Sequence, residues 1–193
     1  MVKGFKLSLI LFTTFLITNC SSKGFKILED EKSSVSNDLS FYDKNYRLSK
    51  EVGLPETIDT NSIYIEEYYL FGPNKVKYIR DEDDGIFIYR FYPNGNVNDF
   101  SIPSIKKLND LENFNPDKTG SRGICFYENG NWYIDILGKS SELKTMGTYR
   151  YKLVEVSKDT IKLQWVRKNE NTIYVYSRKK IENDSILEFK ANW

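Results

Sequence analysis

From residue 62 onward, apolar and polar positions alternate in short runs that are cut by turn residues. Ser62 to Phe71, Val76 to Arg80, Ile86 to Tyr92, Val97 to Ile102 and Arg122 to Glu128 read as strands. So do Asn131 to Leu137, Thr148 to Val156, Thr160 to Val166, Thr172 to Arg178 and Ile186 to Lys190. A period of two puts every second side chain on one face of a pleated strand. Gly72-Pro73-Asn74, Pro93-Asn94-Gly95-Asn96 and Ser157-Lys158-Asp159 punctuate the series, and Asn129-Gly130 is the strongest of the short hairpin signals. Tyr149, Tyr151 and Leu153 share one face, as do Ile161, Leu163 and Trp165 on the next strand, while Arg150, Lys152, Lys162 and Gln164 point the other way. One face buried and one wet is the mark of an antiparallel sheet. Only Ser104 to Phe114 departs from this pattern. Ile105, Leu108 and Leu111 recur there at helical spacing behind Ser104 as a cap, which predicts one short helix. The fold class is therefore all-β and mainly antiparallel, a meander or barrel of about 8–10 strands with one short helix.

The first fifty residues follow a different pattern. Lys3 and Lys6 precede an uncharged apolar run from Leu7 to Thr18, and Cys20 follows. A positive segment followed by about a dozen apolar residues is an export signal, too short for the roughly 20 residues that a spanning helix needs. The run resembles a bacterial lipoprotein signal peptide with its lipobox. Ile17, Thr18 and Cys20 fit that pattern, and Asn19 stands where Gly, Ala or Ser is usual. The resemblance implies cleavage between Asn19 and Cys20 and acylation of Cys20, a retained anchor being the other reading. Two or more acyl chains hold a protein durably on a bilayer, where one does so only marginally. Ser21, in place of the aspartate that marks inner-membrane retention, implies the outer membrane. Ser22, Lys23 and Gly24 lack the acidic run of surface-displayed lipoproteins, which implies the periplasmic face. The chain thus divides into a signal peptide (1–19), an acylated cysteine with a polar, flexible tether (20–53), and a β-barrel or β-sandwich domain (54–193). Tyr46-Arg47-Leu48 has the apolar content to dock back on that domain.

Composition narrows the chemistry. With Lys3 and Lys6 removed, 26 Lys and Arg face 27 Asp and Glu, so no basic excess points to nucleic acid. The 14 Tyr, 12 Phe and 3 Trp suit half-buried pleated surfaces. Once Cys20 is acylated, Cys125 has no intrachain partner, and its setting in Gly123-Ile124-Cys125-Phe126-Tyr127 suits a small buried apolar residue. There is no histidine, which removes Ser-His-Asp and Cys-His nucleophile systems and most zinc sites. No glycine-rich phosphate loop is present and no cofactor is expected. Glu66, Glu67, Glu128 and Asp135 are the carboxylates from which a hydrolase pair could be drawn, and nothing in their spacing selects them. The acidic run Asp81-Glu82-Asp83-Asp84-Gly85 breaks into strand residues at Ile86, so it reads as a hairpin tip and not a calcium loop. Arg178-Lys179-Lys180 reads as a solvated strand end.

A second resemblance covers most of residues 58 to 180. Ile58-Asp59-Thr60-Asn61-Ser62-Ile63-Tyr64, Arg90-Phe91-Tyr92-Pro93-Asn94-Gly95-Asn96-Val97, Gly123 through Asp135, and Tyr151 through Leu163 look like small lipocalin-like lipoprotein domains. The Gly-X-Trp that opens true lipocalins is absent from the first strand. The likeness implies an up-and-down barrel whose interior holds either side chains or a ligand. Tyr149, Tyr151 and Trp165 are then core residues or ligand-facing aromatics. The expectation is a non-catalytic envelope lipoprotein, bound to the bilayer through Cys20, that binds or contacts an unknown envelope protein. The alternative is a carrier of a small apolar ligand.

Overall fold

Eight strands pair in sequence and the last returns to the first, so the sheet closes on itself. The computed structural model describes residues 25–29, 34–36, 46–47, 50–81, 84–139, 146–167 and 171–193. In chain order the strands are β1 (Phe25–Ile27), β2 (Ser34–Ser36), β3 (Glu51–Val52), β4 (Ser62–Phe71), β5 (Val76–Tyr78), β6 (Ile86–Phe91) and β7 (Asn96–Ile102). They continue with β8 (Ser121–Glu128), β9 (Asn131–Lys139), β10 (Met146–Val156), β11 (Thr160–Trp165) and β12 (Ile173–Lys180). The barrel runs β4-β6-β7-β8-β9-β10-β11-β12, every pair antiparallel, and β12 pairs back to β4. Bulges at Glu67 and Val154, where the registers of β4–β12 and β10–β11 shift, supply the bending that closure requires. Asn129 and Gly130 both take positive φ, 51° and 79°, which is the tight turn their sequence predicts between β8 and β9.

The inside of the barrel is identified by its contributors. One buried cluster draws Tyr64, Phe91, Val97, Cys125, Ile134, Leu153, Leu163 and Tyr176 from all eight strands, which is possible only within a closed sheet. Ile58 and, less deeply, Leu54 and Trp132 pack against this cluster at the end where the β6–β7, β8–β9 and β10–β11 turns lie. Gly123 lies where β8 meets β9 most closely: a Cβ there would come within 2.4 Å of Ile136 Cδ1 and 2.7 Å of the Asp135 carbonyl oxygen.

Half of the barrel's outer wall is covered as well. Ile63, Ile88, Phe100 and Ile102 on β4, β6 and β7 are buried beneath Leu108, Phe114, Ile181 and Ile186. Ile124, Phe126 and Leu137 on β8 and β9 are buried beneath Tyr46, Ala191 and Trp193. The segment expected as tether is partly folded onto this wall. β1 pairs with β2, whose Val35 is buried beside β8 and β9, and β3 pairs with β8.

Two sequence expectations are corrected. Ser104–Phe114 forms two 3-10 turns, Ile105–Lys107 and Leu111–Phe114, and the Ser104 side chain caps neither. The residues turned inward, Leu108, Leu111 and Phe114, recur every three positions, the repeat of a 3-10 helix. Ile186–Lys190 is not a strand either. Ser185–Glu188 is a single helical turn, α1, introduced by the Asn183 side chain accepting the Ser185 amide at 3.1 Å. Closure of β12 on β4 leaves no free edge there for a further strand.

Candidate functional site

The end of the barrel opposite Ile58 and Trp132 is built differently from the apolar floor. Glu66 lies across from Tyr176, and Asp99 across from Tyr89, so both carboxyl groups point inward. Around them stand Tyr89, Tyr151 and Tyr176. The Tyr89 ring makes edge contacts with Tyr176 at 5.1 Å and Tyr151 at 6.5 Å, and Tyr151 meets Tyr174 at 6.1 Å. Edge-to-face packing at these separations places ring hydrogens against neighbouring π faces and holds the rings as a rigid cage.

Arg80 closes the acid cluster from one side. Its Nε donates to Glu66 Oε1 at 2.7 Å, while the guanidinium lies 4.4 Å from the Phe87 ring centre and 5.3 Å from that of Tyr69. The Tyr176 hydroxyl donates to the other Glu66 oxygen at 3.4 Å. Asp99 is left over: among the described residues its carboxyl has no hydrogen-bond or ion-pair partner, yet it keeps partial accessibility. Burial pushes its pKa from 3.8 up to about 7, Glu66 adds to the rise, and Arg80 opposes it. Burial likewise raises the hydroxyls of Tyr89, Tyr151 and Tyr176, which stay protonated through the neutral range.

Tyr149, Tyr151 and Trp165 stand together on the inner face. Trp165 lies across from Tyr151 in the ladder, and its ring is 6.5 Å from that of Tyr149. The outward set of Arg150, Lys152 and Gln164 is equally clear from the register, Lys152 facing Gln164 and Arg150 facing Asp135. The suspected carboxylates scatter. Glu66 is inside, and Glu67 sits exposed at the bulge bonded to Ser177. Asp135 is buried on the outer wall, gripped by Arg150 through two bonds of 2.7 Å and by the Tyr46 hydroxyl at 2.9 Å. Glu128 completes that network with Arg150 at 3.4 Å and Lys50 at 3.6 Å. Cys125 is fully buried in the core, where desolvation holds its thiol protonated well above the usual range.

Asn19 and Cys20, with the whole expected signal peptide, lie outside the described residues, as do Glu82 and Asp83 of the acidic run. Among the described residues no group of three or more Cys, Asp or Glu is placed to hold a metal ion. Asp99 escaped the sequence reading. The signal was its spacing from Val97, two positions along one strand, and it was masked because the outward neighbours Phe100 and Ile102 are apolar too.

No family model matches this chain, and neither a curated protein nor a solved structure matches it.

Proposed function

We propose that this chain is a non-catalytic binding lipoprotein of the bacterial envelope. Acyl chains on Cys20 hold it to the outer membrane at the periplasmic face, and the Asp99 end of its barrel takes a small ligand. The observation that carries the binding reading is Asp99, a carboxyl kept inside a cage of tyrosines with no partner among the described residues. A buried polar group without a partner is a cost unless something else supplies the bond. A ligand with an apolar or aromatic body and a hydrogen-bond-donating or cationic head suits that arrangement: the rings take the body, and the acid takes the head. The paired Glu66–Arg80 beside it shapes the rim without adding net charge.

Two measurements test this. Cys20→Ala should move the protein out of the membrane fraction and stop its maturation; an unchanged size together with unchanged fractionation would refute the anchor. The neutral aromatic amine N-phenyl-1-naphthylamine serves as probe for the barrel, with saturable fluorescence enhancement expected. Tyr151→Ala or Trp165→Ala should weaken its binding about ten-fold, a loss of about 1.4 kcal/mol, and Lys162→Ala on the outer wall should not. Equal binding by all three variants would refute an interior site.

A second reading, contact with another envelope protein, is favoured by the β4–β5 hairpin at the same end of the barrel. Phe71, Val76, Tyr78 and Ile79 are exposed there, Ile79 at 71%. If the inner-face variants bind the probe normally, that hairpin becomes the surface to replace.

A further inference from the structure

A cavity lies at the Ile58–Trp132 end of the barrel, on its outer side, and does not depend on the interior site. It measures about 330 Å³ and is bounded by Thr60, Asn61, Arg90, Asn94, Phe189 and Lys190, among others. None of the described residues lining it is acidic. It forms because Arg90, between the inward Tyr89 and Phe91, points outward, and because the chain after α1 crosses over it. Arg90 is only 2% exposed. Its Nη2 donates to the Phe189 carbonyl at 3.1 Å, and its guanidinium lies 4.5 Å from the Tyr92 ring centre. Nε and Nη1 are buried and make no well-formed hydrogen bond among the described residues, the Tyr92 side chain alone favours the charged form, and no carboxylate among the described residues reaches the group.

The contrast with the other arginines of the covered wall is direct. Arg122 reaches Asp117 at 3.2 Å, and Arg150 holds Asp135 through two bonds of 2.7 Å. A buried charge with no counter-ion costs several kcal/mol, so a cation of this kind persists where an anion from outside completes it. Lys190 adds a second positive charge at the rim, and Leu187 and Phe189 supply an apolar wall. The guanidinium edge, the ammonium and the Asn61 and Asn192 amides together offer more donors than the two oxygens of a carboxylate would use. The space is larger than a bare ion needs.

We propose that this cavity binds a phosphate group, carried either by a small soluble molecule or by an anionic lipid headgroup, with Arg90 as the deep cation and Lys190 at the entrance. The full chain, kept in a neutral detergent, is titrated calorimetrically with inorganic phosphate and with sn-glycerol 3-phosphate. A parallel titration uses dihexanoyl phosphatidylglycerol below its micelle concentration. Saturable binding of at least one is expected. Lys190→Glu, at an exposed side chain that folding does not need, should weaken it about ten-fold or more, since it reverses a charge facing the anion. Arg90→Met should abolish it, and Lys152→Glu on the uncovered wall should leave it unchanged. Tighter binding of the soluble phosphates identifies a free ligand and tighter binding of the lipid identifies a headgroup; either upholds the site. No saturable binding to any of the three, or binding that Lys190→Glu alters less than two-fold, overturns it. Because the interior probe is read on other residues, failure here leaves that proposal standing.

Discussion

Replacing Asp99 by Asn tests whether the inner end of the barrel holds a desolvated acid. The amide matches the neutral carboxylic acid in shape and cannot ionise. In the folded protein Asp99 titrates at about 7, against 3.8 unperturbed. Below pH 4 both folded and unfolded chains carry the proton, and Asp99 makes stability independent of pH. Between pH 4 and 7 the unfolded chain loses the proton while the folded one keeps it, so stability falls as pH rises. Above pH 7 both are ionised and the loss is complete. At about 1.4 kcal/mol per pH unit, a displacement of about three units is worth at most about 4 kcal/mol, of which about 2.7 develops between pH 5 and pH 8. Water reaches Asp99 in part, so about 1–2 kcal/mol is the expected difference. The assay is urea unfolding of both proteins, without added ligand, at pH 5 and pH 8 at one ionic strength. Asp99→Asn should gain about 1–2 kcal/mol relative to the parent on going from pH 5 to pH 8. Glu66 and Arg80 are common to both proteins, and the tyrosines around Asp99 do not titrate in this range. A difference between variant and parent that is the same at both pH values, within about 0.5 kcal/mol, would refute the desolvated acid.

Two further substitutions test the scaffold. Gly123→Ala should destabilise the protein by about 1–3 kcal/mol, because the new methyl meets the backbone of β9, which cannot yield as a side chain can; wild-type stability in urea would contradict the close approach. Trp193→Ala should cost about 3–5 kcal/mol. It empties a site where the indole donates to the Gly123 carbonyl at 3.1 Å and packs edge-on to Tyr92, and a loss below about 1 kcal/mol would mean that the segment does not cover the wall.

The barrel was legible where its outer wall is wet. On β10 and β11 the inward residues Tyr151, Leu153, Ile161 and Leu163 alternate with Lys152, Lys162 and Gln164, and the sequence period alone assigns the faces. On β6 it cannot. Phe87, Tyr89 and Phe91 face inward while Ile86, Ile88 and Tyr92 are covered from outside, so both faces read as apolar. The covering segments hide for the same reason. Ile186 and Phe189 resemble strand residues because they also bury apolar surface, but against the outside of a sheet that has no free edge. The Leu108, Leu111 and Phe114 spacing was visible, and it fits a repeat of three as well as it fits one of 3.6.

The two candidate ligand groups were illegible for a deeper reason, which also argues for their role. In the β6–β7 ladder Tyr89 faces Asp99 and Arg90 faces Asn98. Asp99 therefore points into the barrel, and Arg90, one residue along the neighbouring strand from Tyr89, points out from the other face of the same wall. Two opposite charges are brought to adjacent rungs and kept on opposite faces, where neither can neutralise the other. A slip of one residue in this register would place them on the same side, as Arg150 and Asp135 are. Nothing in a list of residue types distinguishes Arg90 from Arg150; only the register decides which acid each can reach. A wall built for stability alone would pair these charges or replace them with apolar residues, which is often neutral or stabilising. Among the described residues both groups are left without a partner, which costs the fold on each face, and under the two proposals above a ligand donor at Asp99 and an anion at Arg90 would offset that cost.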